Sequence, residues 1–264
     1  MSGEGWIPPG RRWWLWLIAG LVLAFLVLPV LIVLPMSFSD SQYLEFPPRE
    51  WSLRWYRAYL GTPEWMAATR TSLLAALLTT LLATPLGVAA AYGLHLAPGR
   101  LARILRLLLA APLIVPVIIL AIGIFYLWVR LGLLNSLAGL VLAHAALALP
   151  FVLVLVDAGL RRIDLDQERV ARSLGATRLR AFTTVTLPQL ARSVRAAALL
   201  AFITSLDEVV VALFVAGGET ATLTRRMFTG LRDQVDPTIA AISSLLILVS
   251  VALLGGAQLL GRRR

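Results

Sequence analysis

Between Asp164 and Leu190 the chain reads DLDQERVARSLGATRLRAFTTVTLPQL, and no other segment is as informative. Asp164 followed by Gln167 fits a capping box, with acids at the positive end of a helix. Val170 and Leu174 are four apart and share a face. Gly175 interrupts the run as a helix C-terminus or tight turn does. Leu179, Phe182 and Val185 then recur three apart in a second amphipathic segment, which Leu187-Pro188 closes. The spacing predicts a short helix, a glycine turn and a second short helix. Composition alone would also allow an ordinary basic loop.

What flanks this run is strongly apolar. The 264 residues are 59% hydrophobic and 14% charged, with mean hydropathy +0.84. A soluble domain is about 45–50% apolar and about 25% charged. The composition excludes a soluble globular enzyme, a disordered chain and a collagen-like repeat. A helix needs about 20 apolar residues to cross a bilayer, and six segments qualify: Trp13–Met36, Thr71–Leu96, Leu107–Val129, Leu137–Val156, Ala196–Ala216 and Thr238–Leu260. Pro29, Pro85, Pro112, Pro116 and Pro150 fall inside them, which neighbouring helices or water make tolerable. The expected fold is all-α, one transmembrane domain over residues 1–264, with the run at 164–190 as its chief polar loop. The outer segment at 37–70 holds Phe38, Tyr43, Phe46, Trp51, Trp55, Tyr56, Tyr59 and Trp65, as an interfacial aromatic belt does.

The charge is +10, carried by arginine without lysine. With the N-terminus inside, 16 arginines fall on the inner side: Arg11, Arg12, Arg100, Arg103, Arg106, Arg161, Arg162, Arg169, Arg172, Arg178, Arg180, Arg192, Arg195, Arg262, Arg263 and Arg264. The other 8 (Arg49, Arg54, Arg57, Arg70, Arg130, Arg225, Arg226 and Arg232) fall outside. The bias places both termini in the cytoplasm and makes the basic charge topological, so no nucleic-acid partner is expected. The first span is too long for a signal-peptide core and lacks a small-x-small cleavage site; it reads as an uncleaved helix. Without cysteine there is no disulfide, thiolate metal site or Cys nucleophile, and His95 and His144 alone make no zinc site. No Gly-rich phosphate loop is visible, so the chain is not expected to hydrolyse ATP, and no catalytic or metal-binding set emerges.

Asp207 and Glu208 lie in the middle of the fifth segment. A charge at mid-bilayer costs about 2.5–3.5 kcal/mol, and intramembrane acids are functional by default. Thr204 and Ser205 precede them at helical spacing and complete a polar patch. The alternative is a structural pair with a neighbouring subunit. Tyr126 and Trp128, near the outer end of the third segment, are candidate aromatics for a cation path. His144 reads as a packing or hydrogen-bonding residue.

Aligned on Gly175, the polar run resembles the conserved loop of bacterial ABC importer permeases: a Glu-Ala-Ala triplet, a glycine, then a hydrophobic residue, x and Leu-Pro. Arg169, Val170 and Ala171 occupy the triplet, where only Ala171 is the consensus residue. Glu168 matches a frequent variant with the acid one place earlier. Leu174, Gly175 and Ala176 of ARSLGA match, as do Val185 and Leu187-Pro188. The stretches SLDEVVVALFVAG (205–217), TLTRRMFTGLRDQVDPTIAAISSLLIL (222–248), FPPREWSLRWYRAYL (46–60) and LAHAALALPFVLVLVDAGL (142–160) are similar to spermidine/putrescine-type permeases, the second, C-type subunit above all. The resemblance implies the type I ABC importer permease fold in a bacterial inner membrane. It implies a coupling helix seated on a separate ATPase dimer that binds ATP and Mg, a second permease as heterodimer partner, and a periplasmic or lipid-anchored substrate-binding protein. It also implies a polyamine cargo, whose several positive charges suit the two acids. An importer of this kind with another cargo remains open. So does a secondary cation transporter or channel using Asp207 and Glu208, against which the coupling loop stands; a membrane enzyme has the least support.

Overall fold

A computed structural model describes residues 13–97, 99–233 and 235–262, with their side chains except at 253–254 and 257–262. Arg11, Arg12, Arg263 and Arg264, assigned above to the inner side, lie outside the described residues, as does the side chain of Arg262. The described chain is helical, with one isolated antiparallel bridge between Ser39 and Trp51. It divides into two compact units, Met1–Thr62 with Gly230–Val251, and Pro63–Thr229 with Ala252–Arg264.

The first unit contains α1 (Trp13–Met36), none of whose residues is buried. A helix apolar on every face needs no protein partner when its solvent is lipid. After it the chain folds into a knot of aromatics. Phe38 packs on Trp51 and Tyr56 at 6.3 and 5.3 Å, and Trp55 donates from Nε1 to the Ser41 carbonyl at 3.1 Å. Part of the expected belt is thus a packed cluster ahead of the short α2 (Arg54–Gly61). The beginning of α12 (Thr238–Arg262) belongs to this unit. There Ser244 donates to the Val33 carbonyl of α1 at 3.4 Å.

The second unit is built on three helices: α3 (Pro63–Leu96), α6 (Leu137–Leu160) and α9 (Leu187–Asp207). Small residues recur among their buried positions: Ala75, Ala76, Ala83, Gly87 and Ala91 on α3, Ala143, Ala145, Ala148 and Gly159 on α6, Ala197 and Ala201 on α9. Lipid tails are as apolar as leucine, so membrane helices associate by close packing, which small residues permit. A Cβ on Gly87 would lie 2.5 Å from Val152 Cγ1, and one on Gly159 would lie 2.4 Å from Ser193 Oγ. Both crossings therefore depend on glycine.

Among the described residues, three helices are long and apolar enough to cross a membrane: α1, α3 and α6. They contain the first, second and fourth expected spans. Two expected spans are corrected. The third is not one helix over Leu107–Val129. It is α4 (Arg100–Ala110), a tight turn at Ala111–Leu113, and α5 (Val117–Leu131), with a 101° bend between the two arms. Pro112 and Pro116 remove two backbone donors at the corner. The fifth is not continuous over Ala196–Ala216 either. α9 stops at Asp207, Glu208 is extended, and α10 (Val210–Val215) begins afresh.

Candidate functional site

Two features of the second unit carry the chemistry read from the sequence. The first is the polar loop. α7 (Asp166–Ser173) is followed by Gly175 at φ +94°. The Gly175 amide donates to the Arg172 carbonyl at 3.0 Å and the Ala176 amide to the Ala171 carbonyl at 3.1 Å. This is the Schellman closure, in which the residue after the cap adopts the left-handed conformation that only glycine reaches freely. Ala171, Gly175 and Ala176 thereby have a physical role. Thr177 then caps α8 (Arg178–Ala181) through the Arg180 amide at 3.3 Å.

Two local expectations fail. No capping box forms. Asp164 Oδ1 accepts from the Asp166 amide at 2.9 Å, and Gln167 accepts instead from Gln189 Nε2 at 3.0 Å. Nor does Leu187-Pro188 end the second helix. A wide turn at Phe182–Thr186, in which Leu187 donates to the Phe182 carbonyl, carries α8 straight into α9. Pro188 lacks an amide donor, and a locally widened ladder accommodates that gap near its start.

Glu168, which the motif suggests as a docking group, faces inward and is 5% exposed. It accepts hydrogen bonds from the hydroxyls of Tyr92 on α3 and Thr186. Tyr92 stacks on Phe182 at 4.6 Å, and the Arg178 guanidinium lies 5.8 Å from its ring. The acid thus pins α7 to the helical core. Outward the loop presents Val170, Leu174 and Leu179, which are 57, 83 and 73% exposed, beside an Arg169–Asp166 pair at 2.5 Å. Sequence reasoning missed Tyr92 and Thr186, since nothing local marks a tyrosine 76 residues from its partner. It also missed Asp157, which binds Arg106 at 3.2 Å and Arg161 at 3.0 Å and lies 3.9 Å from His95. That cluster ties α3, α4 and α6 together at one end.

The second feature is the interruption of the fifth segment. Asp207 is the last residue of α9 and is exposed. Glu208, half-buried, turns back and accepts the Val211 amide at 2.8 Å, and so satisfies one free donor at the start of α10. Its own carbonyl accepts from Thr224 Oγ1 at 2.9 Å. Glu208 therefore leaves the helix that carries Thr204 and Ser205, while Asp207 keeps its helical spacing to Thr204. Asp207 is free of ion pairs among the described residues, while Glu208 holds the break open. Thr204 is half-buried on α9. Ser205 is 3% exposed and bonds His144 Nδ1 at 2.8 Å and Thr79 Oγ1 at 3.4 Å, a buried link between α9, α6 and α3. His144 is thus a hydrogen-bonding core residue, as expected. Tyr126 is 66% exposed, edge-on to Phe125. Trp128 donates from Nε1 to the Gly139 carbonyl at 2.8 Å and fastens the turn between α5 and α6. Farther along, Arg226 lies 5.2 Å over the Trp65 ring. Burial pulls the Arg225 guanidinium below its usual value.

A discontinuous helix of this kind is a binding device elsewhere in membrane proteins. The C-terminal end of a half-helix carries partial negative charge and unpaired carbonyls, which attract cations. Here a carboxylate stands at that end.

Comparison with known proteins identifies the family. Residues 83–264 match the family described as binding-protein-dependent transport system inner membrane component. The chain is 32% identical over 256 residues to the putrescine transport system permease protein PotI of Escherichia coli (strain K12), covering 94% of this chain and 90% of that one. It is 27% identical over 241 residues to the spermidine/putrescine transport system permease protein PotC of the same strain, covering 91% of each. It is 34% identical over 221 residues to the molybdenum transport system permease protein ModB of Mycobacterium bovis, covering 78% of this chain and 81% of that one. In fold it is similar to a chain of a bacterial ABC transporter that imports the acidic polysaccharide alginate, with TM-score 0.76, 13% identity and 96% coverage of both. A second structure of the alginate transporter, in complex with a periplasmic protein bound to an alginate pentasaccharide, gives TM-score 0.73 at 16% identity.

Proposed function

The chain belongs to the binding-protein-dependent transport system inner membrane components, and from that premise we propose that it admits polyamines or related organic cations by alternating access. It is a multi-pass membrane protein and the permease subunit of an ABC importer. In this reading all 264 residues form one permease domain in a bacterial inner membrane, with both termini in the cytoplasm. Six crossings follow if the bent α4–α5 arm, the broken α9–α10 arm and α12 each complete one.

The observation that carries the cargo is Asp207. A carboxylate without an ion pair among the described residues stands where α9 ends, at the negative pole of a half-helix, and a multiply charged amine complements both. The putrescine and spermidine/putrescine permeases among its relatives support the same cargo. The molybdenum relative favours another cargo within the class; in favour of a cation, no ion pair joins an arginine to either acid among the described residues. Tyr126 is exposed and available to a cationic cargo. Trp128 and Ser205 act by holding the surrounding helices.

The loop around Gly175 is read as the coupling element. Val170, Leu174 and Leu179 form an apolar patch offered to a groove on a partner ATPase, rimmed by arginines that steer the approach. Glu168 holds the patch rigid from behind. ATP and Mg are handled by that ATPase dimer, and this chain performs no hydrolysis of its own. A second permease and a substrate-binding protein complete the machine.

The test is uptake of labelled putrescine and spermidine by vesicles holding the complete complex, with Asp207→Asn and Glu208→Gln alongside wild type. Uptake by wild type that drops in Asp207→Asn, with assembly and ATPase activity retained, supports the reading. Absence of any polyamine uptake with the cognate binding protein present overturns the cargo. ATP-independent uptake by this chain alone overturns the coupling role.

A further inference from the structure

We propose that α4 is an interfacial helix lying in the headgroup layer of the membrane, where it holds anionic phospholipid through Arg100 and Arg103. Three observations meet on this element. The first is direction: α4 and its turn meet α5 at 101°. α5 is an apolar 15-residue helix packed on the bundle. If α5 runs across the bilayer, α4 runs nearly in its plane. The second is the distribution of residues. In RLARILRLLLA, Arg100, Arg103 and Arg106 fall on one arc at helical spacing. Leu101, Ile104, Leu105 and Leu108 fall on the other, while Leu107, 64% exposed, falls between Arg100 and Arg103. The apolar arc is not covered by the rest of the chain: Leu101 and Leu108 are 69 and 63% exposed, Ile104 and Leu105 45 and 41%. A helix with one cationic and one apolar face, set parallel to the surface, is the geometry by which peripheral helices enter the headgroup boundary.

The third observation fixes the roll of the helix. Arg106 binds Asp157 of α6 at 3.2 Å, and Leu109 packs against the buried cluster of α3, α6 and α9. Leu109 lies between the arcs and Arg106 at the adjoining edge of the cationic one. They leave Leu101, Ile104, Leu105 and Leu108 on one side of the seam, and Arg100 and Arg103, both exposed, on the other with Leu107 between them. Those four apolar residues enter the acyl region while the two arginines remain at headgroup level. Anionic lipid is the complementary partner, because each arginine near such a surface strengthens attachment severalfold. This inference rests on the membrane reading of the chain but not on its cargo.

Because the chain has no cysteine, the test can use single cysteines at 100, 101, 103, 104, 105 and 108. Each is introduced into the full chain, assembled with the subunits that co-purify with it, spin-labelled and reconstituted in vesicles of phosphatidylcholine with phosphatidylglycerol. Collision with oxygen reports lipid, and collision with a water-soluble nickel chelate reports water. The expected pattern is oxygen-dominated at 101, 104, 105 and 108 and nickel-dominated at 100 and 103. Arg100→Gln with Arg103→Gln should weaken retention of phosphatidylglycerol by roughly 30-fold, with phosphatidylcholine unaffected. Nickel access at every position overturns the proposal, because the helix then lies in water. Shielding of 101, 104, 105 and 108 from both reagents overturns it too, because a protein neighbour then covers the face. Equal retention of phosphatidylglycerol by the double variant removes the lipid-binding role of the arginines. None of these readings depends on polyamine uptake, so a wrong cargo leaves the test intact.

Discussion

Tyr92→Phe removes a single oxygen from the contact that holds the outward-facing loop to the bundle. The ring keeps its packing on Phe182 and beneath Arg178. What is lost is the hydrogen bond to the buried Glu168 carboxylate. A hydrogen bond to a charged group contributes about 1.5–3 kcal/mol. Since about 1.4 kcal/mol corresponds to tenfold, local opening of α7 should become roughly 10- to 150-fold more frequent. Hydrogen–deuterium exchange of peptides covering 166–173 in the assembled complex reads that number directly. Glu168→Ala is expected to be harsher, because it strands two hydroxyls at about 1–3 kcal/mol each. Combining the two changes isolates the bond. In the Glu168→Ala background, Tyr92→Phe should be neutral or slightly protective, since there the phenol has lost its acceptor. Exchange unchanged by Tyr92→Phe, or accelerated equally in both backgrounds, would show that no such bond restrains α7. The functional counterpart is a fall in cargo moved per ATP hydrolysed, with the subunits still assembled.

Asp207→Asn removes a negative charge from the C-terminal end of α9, so stability should hold or rise by about 0.3–1 kcal/mol while labelled putrescine uptake drops about tenfold or more. Thermal unfolding and uptake measured on one preparation check both signs, and a destabilised variant contradicts the assignment. Gly87→Ala should reduce the yield of folded protein, because its Cβ meets Val152 Cγ1 at 2.5 Å and Val152 Cβ at 2.7 Å. Val152→Ala should restore only part of that yield, since its own Cβ remains. Gly175→Ala forces a side chain into φ +94° at a cost of about 1 kcal/mol or more; exchange around 172–177 should accelerate and coupling weaken, with Gly175→Asn milder than Gly175→Ala.

Where local rules govern, sequence and structure agree. The apolar run of α1 ends at Met36 in both, because lipid imposes a length that hydropathy reads directly. Gly175 marks its turn because few residues other than glycine take that backbone conformation readily. The bend between α4 and α5 was obscured because apolar residues continue through the corner, although Pro112 and Pro116 announced it. The interruption after Asp207 has neither proline nor glycine. Its signal was the acid pair itself: a carboxylate just ahead of an apolar run is a helix-starting residue as much as a cargo site, and Glu208 plays the first part. Glu168 illustrates the opposite limit. Its position in the motif was legible, but its direction was not, since that depends on hydroxyls brought from distant helices.

The unbroken passage of α8 through its wide turn into α9 has a mechanical meaning. From Arg178 to Asp207 the backbone is continuously helical, about 45 Å long at helical rise. Its near end carries Leu179, and its far end carries the carboxylate. If the wide turn holds its angle, a few degrees of rotation at the loop displaces Asp207 by several ångströms. The far end is also where the helix terminates and the next one restarts. Movement at the loop would then arrive at the break between α9 and α10.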